Sequence, residues 1–262
     1  MTYHSTMNRS TCFDITMRCV FLFLFISGYS FCSAQNYKWI VYPTMGVDVG
    51  GAIPVPISDK PGGVKGTPII SPSLGLGFQA ELNKRWNIIT EINYHNLSFS
   101  AEGSVRSQPF YFDNQTDILF FSGETYTDVE LRFVDFPLLL AYQLKENWTL
   151  TLGVYYSRIL EGKFDTHGKN GWFSDNKELM DNVELPGDVS VDYSFSNELD
   201  ENDYGVLLGY KYMLNHKLFF WGRFTMGMNS IFVDDFVNIE YELYQMRLNV
   251  GVSYIFFSGL NL

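Results

Sequence analysis

Read by parity, residues 134–156 carry the clearest pattern in the chain. Val134, Phe136, Leu138, Leu140, Tyr142 and Leu144 are apolar at alternate positions, against a mixed set of Asp135, Pro137, Leu139, Ala141 and Gln143. After Lys145-Glu146-Asn147 the same parity resumes with Trp148, Leu150, Leu152, Val154 and Tyr156, opposed by Thr149, Thr151, Gly153 and Tyr155. Side chains alternate faces along a strand, so this predicts a hairpin with one greasy face and one small or polar face. Each arm has roughly the nine to eleven residues that a tilted strand needs to cross a bilayer. The unbroken face wants hydrocarbon and the other is too polar to form a dry core. That inverts a soluble sandwich and predicts a transmembrane barrel.

The alternation recurs along the chain. Trp39, Val41, Met45, Val47 and Val49 oppose Tyr42, Thr44, Gly46, Asp48 and Gly50. Leu74, Leu76, Phe78, Ala80 and Leu82 oppose Ser73, Gly75, Gly77, Gln79 and Glu81, and a turn then leads to Trp86, Ile88, Ile92 and Tyr94 against Glu91, Asn93 and His95. Further on, Tyr204, Val206, Leu208, Tyr210, Tyr212 and Leu214 face away from Gly205, Gly209 and Lys211. Leu218, Phe220, Phe224, Met226 and Met228 face away from Trp221, Arg223, Thr225 and Asn229. The last run alternates Tyr244, Met246, Leu248, Val250, Val252, Tyr254 and Phe256 with Gln245, Arg247, Asn249, Gly251 and Ser253.

The connections predict the topology. Three short turns share one form, Leu82-NKR-Trp86, Leu144-KEN-Trp148 and Leu214-NHK-Leu218. Between them lie long connections, among them the Pro/Gly-rich 54–68, the polar 98–125 and the acidic 165–202. Strict short–long alternation predicts an all-β, eight-stranded antiparallel up-and-down transmembrane β-barrel with short periplasmic turns and long extracellular loops. Trp86 and Trp148 then mark the inner aromatic girdle. Parity slips near Leu97, Arg132 and Leu243 are read as strand portions above the membrane, or as bulges. A lipocalin-like soluble barrel is the competing fold, and it requires the apolar stripes to turn inward.

Composition agrees with that reading. Aromatics make up 17% and charged residues 18% of the 262 residues, and the mean hydropathy is −0.04, as when half of every strand faces inward. The formal charge of −11 argues against nucleic acid as a partner, which calls for a basic stripe. Met17-Arg18, an apolar run over 19–26 and small residues up to Cys32-Ser33-Ala34 predict a secretory signal, cleaved after Ala34, with Met17 as an alternative initiator. Residues 1–34 are thus the leader and 35–262 the barrel domain. Cys12, Cys19 and Cys32 all precede the cut, so the mature chain has no disulfide. Removing Arg9, Arg18 and Asp14 from 18 basic and 29 acidic residues leaves 16 and 28, a net of −12.

Two sets of residues are candidates for function. The inward charges are Asp48, Glu81, Glu91, Asp135, Lys211, Arg223 and Arg247. Eight strands leave room mainly for side chains, and unpaired buried charge is costly, so these residues are expected to pair into a plug. The alternative is a narrow ion path gated by the same pairs. The second set is Trp172, Phe173, Tyr193 and Phe195, set among ten Asp/Glu of the acidic 165–202 segment. It is read as a solvated outer loop, or as a recognition surface with aromatic anchors and carboxylates bridged by divalent cations.

Catalytic, cofactor and metal sites are not expected. His95 with Ser98, Ser100 and Glu102 invites an esterase reading, but Ser98 faces away from His95 along one strand. His95 is read instead as a rim histidine, and His167 and His216 have no companions at metal-ligand spacing.

The run Val134-Asp-Phe-Pro-Leu-Leu-Leu-Ala-Tyr142, its turn and Leu152-Gly-Val-Tyr-Tyr156 together resemble the PorT-like outer-membrane β-barrel family of Bacteroidetes. The resemblance implies a barrel in the outer membrane of a Gram-negative cell, in contact with its lipids and lipopolysaccharide and inserted by the barrel assembly machinery. The family's namesake is linked to type IX secretion, which suggests an envelope protein as partner. Barrels of this kind often end on an aromatic residue, whereas here Phe256-Phe257 is followed by Ser-Gly-Leu-Asn-Leu. The expected role is structural or binding, through the outer loops, with a narrow porin or an accessory secretion subunit as the alternatives.

Overall fold

The computed structural model describes residues 38–54, 65–110, 119–178, 187–239 and 241–260; the predicted leader lies outside them. The strands are β1 (Lys38–Pro54), β2 (Lys65–Ile69), β3 (Ser71–Glu81), β4 (Trp86–Phe110), β5 (Leu119–Gln143) and β6 (Trp148–Ser174). They continue as β7 (Val189–Ser194), β8 (Asn202–Met213), β9 (Leu218–Ser230), β10 (Leu243–Tyr254) and β11 (Phe257–Leu260). Eight of them form a closed antiparallel ring in the order β1-β3-β4-β5-β6-β8-β9-β10, sealed by β10 on β1 from Thr44↔Ser253 to Pro54↔Leu243. Among the described residues β2 pairs only with β4 and β7 only with β6, and β11 lies next to β1.

The faces follow the parity of the sequence. Leu138, Leu150 and Val250 are exposed on the outer face, as are Leu74, Ile92, Leu208 and Phe224. Their alternates Ser73, Asn93, Asp135, Thr151, Arg223 and Asn249 are buried. This side-out arrangement excludes the lipocalin-like alternative, whose apolar stripes would meet in the centre.

The three short turns have one hydrogen-bond pattern. Leu82, Leu144 and Leu214 each donate their backbone N–H to the carbonyl of Trp86, Trp148 or Leu218, at 2.8–2.9 Å. In two of them an asparagine cap finishes the turn. Asn83 Oδ1 accepts the amides of Arg85 and Trp86, and Asn215 Oδ1 those of Lys217 and Leu218. Short polar side chains stabilise turns by accepting amides two and three residues on.

Strands β4, β5 and β6 run far past the membrane belt, which corrects two expectations. The 98–125 segment is not mainly a loop: β4 continues to Phe110 and β5 begins at Leu119, paired as far as Phe110↔Leu119. Likewise 165–174 is strand, and β7 adds to its edge. Above the hydrocarbon the outer face no longer needs to be apolar, so the sequence signal fades while backbone pairing persists. Two bulges carry the non-glycine residues of positive φ among the described residues, Ser107 at 51° and Asn170 at 54°.

The parity slips read near Leu97 and Leu243 fall on strand portions that continue above the membrane, and beside Leu243 the β9–β10 register shifts between Tyr244↔Ser230 and Met246↔Met226. His95, Leu97 and Phe99 are all buried, as are Leu243, Gln245 and Arg247, so the inward parity holds through both places. What changes is the chemistry of the inside. Near Arg132 a bulge also occurs, opposite β6, between Arg132↔Glu161 and Phe133↔Ile159.

Candidate functional site

The interior between the turns and the extended strands is filled by polar and charged side chains together with a buried apolar cluster that includes Ile89, Leu139, Leu207, Phe219 and Trp221. Its main feature is a set of ties between opposite walls. In a ring of eight, strands four places apart face each other. Lys211 on β8 donates to Gln79 Oε1 on β3. Arg223 on β9 reaches Glu91 on β4, and Arg247 on β10 reaches Asp135 on β5. Each donor strand lies four places from its acceptor strand. Moving one strand round the ring moves the tie one strand round on both sides.

The middle tie is the best satisfied. Arg223 Nη1 and Nη2 donate to Glu91 Oε2 and Oε1 at 2.5 and 2.7 Å. Tyr42 Oη and Asn93 Nδ2 add donations at 2.9 and 3.0 Å, so both carboxylate oxygens accept two hydrogen bonds. The guanidinium also lies over the Trp221 ring, whose Nε1 donates to Ser253 Oγ. Bidentate geometry with full hydrogen bonding is what allows a buried ion pair to offset its desolvation.

The upper tie belongs to a chain of charges. Asp48 Oδ2 lies 2.6 Å from His95 Nδ1, His95 Nε2 lies 3.0 Å from Asp135 Oδ2, and Arg247 Nη2 lies 2.6 Å from that same oxygen. Asn249 Nδ2 donates to Asp48 Oδ1 and to Ser73 Oγ. His95 Nε2 is poorly aligned for a hydrogen bond despite the short distance. Arg247 Nε and Nη1, Asp135 Oδ1, Gln245 Oε1 and Ser157 Oγ are buried without a partner among the described residues. This tie is therefore less complete than the middle one.

An apolar layer closes the interior towards the extended strands. It comprises Leu97, Phe99, Val129, Leu131 and Phe133 from β4 and β5, with Phe164, Leu199, Ile231, Phe232 and Leu243. The segment after β9 is laced into it by Asp200 N–H to the Ile231 carbonyl and Val233 N–H to the Glu198 carbonyl, both 2.9 Å.

Six of the seven inward charges read from the sequence are buried. Glu81 departs from them: it is half-buried at the turn end and makes no ion pair among the described residues. Position explains this, because Glu81 ends β3 beside the turn, its cross-strand partner is the uncharged Asn87, and its own side chain keeps access to water. His95 is not a rim residue but the link between two carboxylates. Its parity with Glu91 and Asn93 was the available signal. Ser98 and Ser100 point to the other face and do not meet His95.

The four aromatics of the acidic segment divide. Trp172 is exposed. Phe173 packs on Phe121 at 5.1 Å. Tyr193 and Phe195 pack edge-on at 4.9 Å, and Phe195 adds Phe236 and Phe164, so these two support the apolar layer. On the outer edge His167 Nδ1 faces Asp192 Oδ1 at 2.7 Å, tying β6 to β7. The hydrogen bond to Asp192 raises the His167 pKa above its ordinary value, with its charge and those of Asp128 and Asp165 adding to it. Among the described residues no cluster of His, Cys, Asp and Glu has the geometry of a metal site.

Comparison with known proteins gives a family and a set of distant likenesses. Residues 34–233 match the family model described as outer membrane protein beta-barrel domain. No curated protein matches the sequence. Among solved structures, Ail, the attachment invasion locus protein of Yersinia pestis, in complex with the heparin analogue sucrose octasulfate, is similar at 10% identity. The match covers 85% of this chain and 100% of that one, with a TM-score of 0.38. Neisserial surface protein A gives 10% identity, the same coverages and a TM-score of 0.38. OprG from Pseudomonas aeruginosa gives 14%, with 85% and 96% covered and a TM-score of 0.34.

Proposed function

The chain belongs to the outer membrane protein beta-barrel domain family, whose place is the outer membrane of a Gram-negative bacterium, and from that premise we propose a plugged barrel that works through its outer end. The observation that carries this reading is the set of ties between opposite walls, roofed by the apolar layer. A conducting lumen needs a continuous wet path. Here the charged level is crossed by Arg223–Glu91 and Arg247–Asp135, and a file of Leu and Phe side chains follows. The barrel holds the outer strands and loops in place, and those present the binding surface, with Trp172 its exposed aromatic.

Planar-bilayer recording on purified protein tests the plug. No steady single-channel openings are expected. Steady openings from the unaltered protein would replace this reading with a narrow porin.

The PorT-like hairpin motif extends the proposal to a subunit of an envelope complex. Its Asp135 is the acceptor of the upper tie, so the motif has a structural use here whether or not a partner is present. Affinity purification from outer membranes, with residues 175–188 present or deleted, tests the partner. Loop-dependent co-purification of an envelope protein is the expected result.

A further inference from the structure

Just above the membrane belt the wall of the ring parts on one side. β1 pairs with β3 only as far as Asp48↔Ser71. From Val49 to Pro54 it keeps β10 on one edge. On the other edge no strand joins it among the described residues, because β2 pairs with β4 alone. Pro54 and Pro68 lack an N–H, and Gly50, Gly51 and Gly66 lack side chains, so neither edge is well equipped to close the seam.

A cavity of about 510 Å³ lies behind the parting, and residues of both edges line it, Gly50 to Pro54 on one and Gly66 to Pro68 on the other. Its back wall includes Phe99, Phe164, Phe195, Tyr241 and Leu243. The polar groups of the lining are largely engaged within the protein. Thr127 and Thr166 share a hydrogen bond of 2.9 Å, Thr125 Oγ1 donates to the Gly103 carbonyl, and Gln108 Nε2 donates to the Asn238 carbonyl. Glu102 is the lining residue with a charge, and it is exposed. The Tyr241 hydroxyl has no hydrogen-bond partner among the described residues. Below the parting Ile69 and Ile70 stand 45% and 70% exposed, continuing the apolar outer face up to the seam.

We propose that this cavity binds an uncharged molecule with a hydrocarbon body and a hydroxyl-sized polar end, admitted sideways between β1 and β2. The volume falls in the range of small-molecule sites. A charged ligand would lose its hydration against aromatic and aliphatic walls with no opposite charge to meet it. A hydroxyl would find Tyr241. The hydrocarbon body is common to a free long-chain alcohol and to a lipid acyl chain that enters from the outer leaflet, whereas the hydroxyl contact at Tyr241 belongs to the alcohol. The site shares Phe99, Phe164 and Leu243 with the apolar roof but none of the charged ties below it, so it is tested apart from those ties.

Gly66 gives a clean test. It pairs with Ala101, so a side chain there shares the cavity face, and a Cβ at Gly66 would meet nothing within 4 Å. Gly66→Trp should therefore fill the site without disturbing the barrel. Full-length protein in lipid nanodiscs is irradiated with diazirine-tagged dodecanol, and adducts are mapped by mass spectrometry. Adducts are expected on Phe99, Phe164 or Tyr241, reduced several-fold in Gly66→Trp, with adducts on lipid-facing Leu150 and Leu152 unchanged as the internal control. A parallel disc whose phospholipid carries the diazirine on its acyl chain assigns the source: cavity adducts there identify a bilayer chain, and their absence beside dodecanol adducts identifies the free alcohol. Adducts confined to the lipid face, or cavity adducts undiminished by Gly66→Trp, would overturn the proposal. Bilayer conductance reads the plug alone, so the two readings fail separately.

Discussion

Arg223 on β9 donates to both carboxylate oxygens of Glu91 on β4, the strand directly across the ring. The two residues are 132 positions apart in the chain. Their pairing takes up charges that inward-facing parity forces into a narrow space.

Removing one partner of this pair strands the other. Arg223→Met is expected to destabilise the barrel by about 3–5 kcal/mol, since Glu91 is left buried and uncompensated. Glu91→Leu combined with Arg223→Met is expected to recover most of the loss. Urea unfolding in lipid vesicles measures both; single and double losses that simply add would show that the residues do not interact.

The two faces of one strand should answer substitution in opposite ways. Leu152 is 60% exposed in the middle of the outer belt, so Leu152→Arg is expected to cost about 2–4 kcal/mol in a bilayer. Its neighbour Thr151 faces in, with its hydroxyl unpartnered among the described residues. Thr151→Val keeps the shape and removes the unmet polar group, and is expected to leave stability unchanged or raise it by up to about 1 kcal/mol. Folding titrations in vesicles check the pair of results.

The turn with the sequence KEN lacks the cap its two counterparts have. Lys145 stands where Asn83 and Asn215 each accept two amides, and its N–H reaches the Trp148 carbonyl at 3.3 Å, matching the 3.3 Å of Asn215. Lys145→Asn is expected to stabilise by about 0.5–1 kcal/mol, and Asn215→Ala to cost a similar amount. Thermal unfolding followed by heat-modifiable gel mobility ranks the variants.

At the outer edge the hold of β6 on β7 should depend on pH. The hydrogen bond that His167 donates to Asp192 raises the pKa of His167 in the folded protein. The stabilising pairing is therefore fully present below the ordinary histidine value, about 6.5. It is lost as pH rises through the raised folded value. Both groups are well exposed, so the effect is local: the protection of β7 amides, taken relative to the base-catalysed intrinsic exchange rate, should fall in mildly alkaline buffer. Asp192→Asn should return the His167 NMR titration to the ordinary range; an unchanged midpoint would rule the pairing out.

The sequence by itself determined which side chains look outward and where the chain reverses. Both are local matters, since alternation registers the solvent on each face of a strand and the three short turns carry their own residue signals. The inward set from Asp48 to Arg247 was legible for the same reason. Tertiary structure decided who meets whom. Arg223 finds Glu91, and Arg247 finds Asp135, because ring closure puts strands four apart on facing walls, a relation no stretch of sequence contains. It also decided how far β4, β5 and β6 run on above the membrane. Past Leu97 the outer face no longer needs to be oily and the inner face turns apolar, so the pattern that marked the strands disappears while their backbones remain paired.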